Sequence, residues 1–460
     1  MDMVFKNNKI IATVIFLTFN IVCILFYFFG IFNDLSDSFY HKFCEFLYIL
    51  NFALIPFLFY IYRVKIFSPQ GLFYISSCLF ALGRVFLSFF GLYRDYYELY
   101  WGQLFYFNNL DFFESLIFWQ LSLSSFILGS LIFSTRLEFN IQLSNLNYKK
   151  TFYILNFLSA TILFIIWFPI SYEMISMFMV AGYEGLYTGQ ADYSFGAQRI
   201  ASLLLPIMVA TGVLCNNKRS LYFSLFILFL YILVNLFVGQ RALLFVWVLI
   251  GLWMYNLITK RDLPFFKISL LGISLMIFAQ FLESFRGGRS DFSLENPLSK
   301  FIYVQSLTYI LPSIVNSLHA EWPPLTYVTM FFPVAGLFSS LGLVTGSQNY
   351  NSGAFFAYTL NNSLFDNGFG LGWSVFLDLY ILSGRNYLLL SFFSFILGLV
   401  FCYLIEKSKK NVLFLYVLLS LLPAFMFAPR SLMYSISSGL IYSFVCFLLI
   451  FIFVIVIKKR

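Results

Sequence analysis

The chain has 460 residues, 61% of them hydrophobic and 10% charged, with a formal net charge of +8. Soluble domains are about a quarter charged, so no water-soluble packing hides this much apolar surface, and the solvent has to be lipid. In a soluble protein the positive excess would point to nucleic acid. Here the cations fall between apolar runs, where they orient helices, and nucleic acid has no case as a partner.

The predicted elements are apolar helices, each long enough to cross about 30 Å of hydrocarbon at about 1.5 Å per residue. They fall near residues 10–32, 46–62, 72–92, 113–134, 152–170, 200–215, 221–238, 242–258, 267–285, 387–405, 412–428 and 433–457. This makes an all-α polytopic membrane protein of about twelve transmembrane helices; alternating barrel strands are not seen. The first run lacks a small-residue cleavage site and is kept as a spanning helix. With the N-terminus inside, 18 of the 28 cations fall on cytoplasmic segments, at least two on each, and both termini are cytoplasmic.

Five regions follow: N-terminal helices over 1–170, a smaller periplasmic loop over 171–199, central helices over 200–285, a large periplasmic loop over 286–386 and C-terminal helices over 387–460. The large loop holds Pro297, Pro323, Pro324 and Pro333, and two moderately apolar stretches at 301–318 and 325–345. These read as amphipathic or re-entrant helices, and whether 325–345 spans the membrane stays open. The smaller loop places Tyr183, Tyr187 and Tyr193 among glycines, a mixture suited either to sugar contact or to interfacial anchoring.

Ten cations remain for the outer face: Lys42, Arg84, Arg94, Arg199, Arg241, Arg286, Arg289, Lys300, Arg385 and Arg430. Eight are arginine, whose planar fork matches phosphate oxygens, whereas the cytoplasmic set has 13 lysines and 5 arginines. Arg241 opens a span after Gly239 and Gln240; Arg286 and Arg289 flank Gly287 and Gly288; Arg199 begins the sixth span; Arg430 follows Pro429. Converging from separate outer turns, they would grip one diphosphate; singly, each reads equally as a snorkelling residue or an ion pair. Arg84 lies about twelve residues into the third span, far in sequence from any acid, where an expensive buried charge signals either function or a structural ion pair.

Asp378, in Gly372-Trp373-Ser374-Val375-Phe376-Leu377-Asp378-Leu379-Tyr380, is a candidate general base, and on a helix Ser374 would share its face. A helix N-terminal carboxylate, or a bridge to Arg385, accounts for Asp378 as well. His319 is a second possible base or an ordinary loop histidine. The two histidines show no ligand spacing, and the six scattered cysteines give neither disulfide framework nor metal site. No Walker, G-x-S-x-G or dinucleotide motif supports nucleotide chemistry.

In their order and sidedness these features resemble the Wzy-type O-antigen polymerases, the oligosaccharide repeat-unit polymerases. The resemblance rests on Gly239-Gln240-Arg241 at the start of a mid-chain span, the basic segment Arg286 to Arg289 opening the large loop, and a loop exit similar to G-x-S-x-x-x-E-x-Y. The exit reads Gly372, Ser374, Asp378 and Tyr380, with aspartate in place of glutamate and Ser383-Gly384 in place of Phe-Gly. Arg199 to Pro206, Asn349-Tyr350, Leu360-Asn361-Asn362 and Ala428-Pro429-Arg430 are similar to features of enterobacterial common-antigen polymerases. The resemblance covers roughly residues 180–440.

It implies a GT-C-like, metal-independent glycosyltransferase with no cofactor in the bacterial inner membrane. Such an enzyme would transfer an undecaprenyl-diphosphate-linked glycan to a lipid-linked repeat unit at the periplasmic face, alongside a possible Wzz-type chain-length regulator. The site it implies has Asp378, Arg241 and Arg286 as catalytic residues. Arg199, Arg289, Arg430, Ser374, Tyr380, Arg84, Tyr187 and His319 would bind substrate. O-antigen ligase and lipid-linked oligosaccharide flippase remain as alternatives. The ligase pattern has a histidine near Trp373 and Ser374 that is missing here, and the flippase is expected to have short loops.

Overall fold

In hydrocarbon every backbone N–H and C=O must find a partner inside its own segment, which leaves the helix as the form for these apolar runs. A computed structural model describes residues 2–92, 97–101, 104–105, 107–134, 148–185, 195–215, 217–238, 241–259, 270, 272–278, 297–318, 320–333, 346–366 and 370–459. The N-terminal helices are α1 (Asp2–Phe32), α2 (Ser38–Tyr62), α3 (Pro69–Ser77), α4 (Gly83–Phe89) and α5 (Asn109–Leu131). The central ones are α6 (Lys149–Gly185), α7 (Phe195–Leu214), α8 (Lys218–Val238) and α9 (Arg241–Thr259).

Among the described residues nine helices are long and apolar enough to cross a membrane, and Ile200–Leu214 and Ala242–Ile258 are shorter apolar helices. The chain is an all-α, multi-pass membrane protein. The ninth expected span, 267–285, lies largely outside the described residues, with 272–278 helical. The fifth does not stop at 170: α6 runs on through Pro169 to Gly185, so the first half of the expected smaller loop is helix.

Polar residues set the helix ends. Asn108 and Asp111 form a reciprocal capping box at the start of α5, and Asp37 and Ser68 cap α2 and α3. The ends sort onto two faces. On one, Asn109 donates to Asp34 at 3.3 Å and Lys42 donates to the carbonyl of Ser88. On the other, the Lys9 ammonium sits 4.8 Å from the Tyr62 ring centre and the Thr13 and Tyr62 hydroxyls meet at 2.7 Å.

The third span is interrupted. Between α3 and α4 the residues Cys78–Leu82 form a π-helical turn, which frees carbonyls from the regular ladder. Tyr48 donates to Ala81 O and Thr308 to Phe80 O, and Thr308 comes from the large loop. That loop segment consists of α10 (Pro297–Gln305), a 3₁₀ turn (Leu307–Ile310) and α11 (Leu311–Ser317).

Its contacts define its path. Tyr303 lies under Arg84, five residues from the end of α4, and Thr308 meets Phe80, nine residues from that end. The Trp119 indole donates to Tyr309 O ten residues into α5, and Asn316 returns to Glu114, five residues in. At about 1.5 Å per residue the segment descends about 15 Å beside α4 and rises again beside α5. It is a hairpin whose tip lies half-way along the helices that hold it.

The C-terminal part is α12 (Pro324–Phe331), α13 (Ser352–Leu360), α14 (Asn362–Asp366), α15 (Val375–Leu382), α16 (Tyr387–Ser408), α17 (Val412–Met426) and α18 (Met433–Lys459). Helix α16 packs on α5 through small residues. A Cβ on Gly129 would sit 2.2 Å from Phe395 O, and one on Gly398 would sit 2.1 Å from Phe126 O. The Ser125 and Ser391 hydroxyls meet at 2.6 Å along the same seam. Helix α17 is short, and Phe427 just beyond it stacks on Phe80 at 5.9 Å, so the turn into α18 lies level with the hairpin tip.

Candidate functional site

Two expected arginines converge on the descending arm of the hairpin. Arg430, in the 3₁₀ turn Ala428–Arg430, donates through Nη1 to Gln305 O at 2.8 Å, to Val304 O at 3.3 Å and to the Gln305 side-chain carbonyl. These are the last carbonyls of α10, which a helix end leaves unsatisfied and a cation stabilises. The guanidinium carbon also lies 5.8 Å from the Phe80 ring centre.

Arg84 is 1% exposed, stacks 4.1 Å from the Tyr303 ring centre and donates to Glu98 O at 2.9 Å. Cation–π and carbonyl contacts thus engage the guanidinium inside the span. Burial in a span is offset by a ring face and a backbone dipole. Arg84 and Arg430 come from helices remote in sequence and hold adjacent residues of one short helix.

Asp378 lies in α15 and is 1% exposed. Its Oδ1 accepts from the Trp373 indole at 2.7 Å and from the Ser352 hydroxyl; its Oδ2 accepts from the backbone N–H of Met433, the first residue of α18, at 2.6 Å. Burial pushes its pKa up to about 6, against the pull of the three hydrogen bonds. The bridge to Arg385 is not formed; Arg385 instead donates to Leu318 O and Ala320 O at 2.8 and 3.3 Å.

Ser374 does not share a helix face with Asp378. It is the N-cap of α15, with φ −138° and ψ 142°, accepting from Phe376 N and donating to Ala428 O at 3.4 Å. The loop exit thus clasps the turn that carries Arg430 from both sides, through Ser374 to Ala428 and Asp378 to Met433. Tyr380, 2% exposed, stacks on Tyr387 with ring centres 5.3 Å apart. A narrow cleft lined by Thr329, Tyr350, Ser352, Asp378 and Tyr434 opens beside the carboxylate.

Arg199 is the fifth residue of α7 and Arg241 the first of α9, so both helices contain the arginine at their start as expected. The side chains of these two, and Arg286, Arg289, Tyr187 and His319 entirely, lie outside the described residues. The sequence reading missed Ser352 and Gln305, which act through contacts between remote segments, and Trp373, whose indole reaches Asp378 from five residues back. It also passed over Glu114, whose signal was plain: a carboxylate inside an apolar run. Among the described residues no group of three or more metal-binding side chains occurs.

In this multi-pass membrane bundle, arginines from separate segments hold one hairpin. A profile of the O-antigen polysaccharide polymerase Wzy family matches residues 10–460, and the chain belongs to that family. It is accordingly a glycosyltransferase-type polysaccharide polymerase, of a family that acts on lipid-linked oligosaccharide repeat units. No curated protein and no solved structure matches the chain.

Proposed function

We propose that the chain polymerises O-antigen, or a related surface polysaccharide, in the bacterial inner membrane with both termini cytoplasmic. In this reading the growing undecaprenyl-diphosphate-linked glycan is transferred to the non-reducing end of a lipid-linked repeat unit at the periplasmic face. The observation that carries it is the meeting of Arg84 and Arg430 on α10, directly after the basic segment holding Arg286 and Arg289.

Chemically, a terminal hydroxyl of the acceptor attacks the anomeric carbon of the donor, and the carbon–oxygen bond to the lipid diphosphate breaks. Charge builds on the departing oxygen, so cationic hydrogen bonds that strengthen there lower the barrier. We assign that charge to Arg241 and Arg286, with Arg84, Arg199, Arg289 and Arg430 holding the diphosphate, and no metal is needed for it. Tyr187, Tyr380 and His319 are assigned to the sugar side, and a Wzz-type regulator would set chain length from outside the site. As a base Asp378 would have to release a carboxylate oxygen from three donors; in its present geometry it positions the Arg430 turn, and Ser374 does the same from the cap.

The test is complementation of a strain lacking the gene with Arg241→Ala and with Arg286→Ala. The proposal expects single repeat units on the acceptor with each variant; normal polymer ladders from both would remove the diphosphate clamp.

A further inference from the structure

Three glutamates on long apolar helices of this bundle, Glu45, Glu114 and Glu406, differ in their surroundings. Glu45, 2% exposed in α2, is compensated: Lys42 pairs with it at 3.1 Å, and Ser88 and Tyr97 donate to its other oxygen. Glu406 in α16 is paired with Lys409 at 2.5 Å. Glu114 in α5 forms no ion pair among the described residues and receives one hydrogen bond, from the neutral amide of Asn316 at 2.6 Å. It is half-buried, neither sealed like Asp378 nor in open water. An ionisable group left on a spanning helix with so little compensation marks a working position.

Its placement fits one. Asn316 belongs to the rising arm of the hairpin, and the same amide reaches the Tyr387 hydroxyl at 3.4 Å, so carboxylate, amide and phenol meet at the start of α16. Such a set of planar polar groups beside stacked rings suits sugar hydroxyls. Arg84 stands at the same level on the descending arm, each residue five positions from the outer end of its helix.

We propose that Glu114 is the catalytic base of the polymerase, taking the proton of the acceptor sugar's attacking hydroxyl while Asn316 and Tyr387 hold that sugar. The acceptor oxygen bonds to the anomeric carbon of the donor, its proton passes to Glu114, and the electron pair of the broken bond leaves on the lipid diphosphate. This rests on the polymerase reading above. It assigns the two arms of the hairpin to the two substrates, donor phosphate on α10 and acceptor hydroxyl on α11.

The test uses the purified full chain in lipid vesicles, with lipid-linked repeat units extracted from cells lacking this gene. Glu114→Gln is expected to lower kcat roughly 100-fold or more, as loss of a general base does, with KM and the thermal midpoint unchanged. A kcat within about threefold of wild type, an ordinary scatter well short of a base's contribution, overturns the assignment and leaves the polymerase reading standing. Absence of polymer from the wild-type protein overturns both. Should the glutamine variant lower the thermal midpoint, Glu114→Asp decides, because it keeps the charge and withdraws the oxygen by one methylene. A fall of 10-fold or more, on the order that a 1 Å misplacement costs, supports the base; an unchanged rate overturns it.

Discussion

Replacing Arg430 by alanine removes a guanidinium whose Nη1 faces three carbonyl oxygens at the end of α10, two of them at good hydrogen-bond length. A hydrogen bond to a charged group contributes about 1.5–3 kcal/mol, so losing two well-formed bonds costs about 3–6 kcal/mol, and the contact with Phe80 adds to that. The carbonyls of Val304 and Gln305 would then be orphaned at a helix end inside the protein. The strained element is the descending arm of the hairpin, and displacing a binding arm by about 1 Å costs on the order of 100-fold in rate. Thermal unfolding of the detergent-purified protein should show a lower midpoint for Arg430→Ala, and polymer ladders in a complemented deletion strain should collapse to single repeats. Arg430→Lys should recover part of the stability and little of the polymer, since an ammonium supplies charge without the fork. Unchanged midpoint and ladders for Arg430→Ala would refute the claim that this arginine holds the hairpin in its working position.

Asp378 has a pKa raised to about 6 in the folded protein against an ordinary 3.8, so the native state binds more protons between those values. Its penalty is on the order of 3 kcal/mol at neutral pH and is relieved as pH falls from 7 to 4; denaturant unfolding of wild type relative to Asp378→Asn should show that relative gain, and parallel curves would count against it. Gly398→Leu should prevent the α5 and α16 seam from closing, because even a Cβ lies 2.1 Å from Phe126 O, whereas Gly251→Ala, with nothing within 4 Å, should be silent; expression and monodispersity of the two variants compare them directly. In a cysteine-free background, Asp34→Cys and Lys410→Cys sit at exposed positions on opposite faces. An impermeant thiol reagent should label the first from outside and not the second; the reverse pattern would invert the orientation proposed here.

Much of the fold was legible because lipid as a solvent forces apolar helices, and hydropathy finds them without tertiary information. Arg199 in the first turns of α7, the start of α9 at Arg241, and the turn at Arg430 followed from this. What was not legible depends on contacts between remote segments. The hairpin is set by Thr308 finding a carbonyl freed by the π turn at Cys78–Leu82, and by Tyr309 meeting Trp119. Asp378 looked like a base or a partner for Arg385 because spacing shows neighbours on the chain, whereas its partners Ser352 and Met433 arrive from other elements. Ser374 looked like a helix-face residue because it lies four positions before Asp378, while its extended backbone makes it the cap. Glu114 was visible as a charge in a span, but its lack of compensation emerges only beside the fully paired Glu45.

The central claim is that arginines at the hairpin grip the diphosphate of a prenyl-linked substrate. Binding of undecaprenyl diphosphate to the purified chain, titrated by intrinsic tryptophan fluorescence for wild type, Arg84→Gln and Arg430→Gln, tests it without requiring turnover. Each lost charge-assisted contact of about 1.5–3 kcal/mol should weaken binding by roughly 10-fold to 100-fold. Equal affinity in all three proteins, each shown to be folded by its thermal midpoint, would contradict the account.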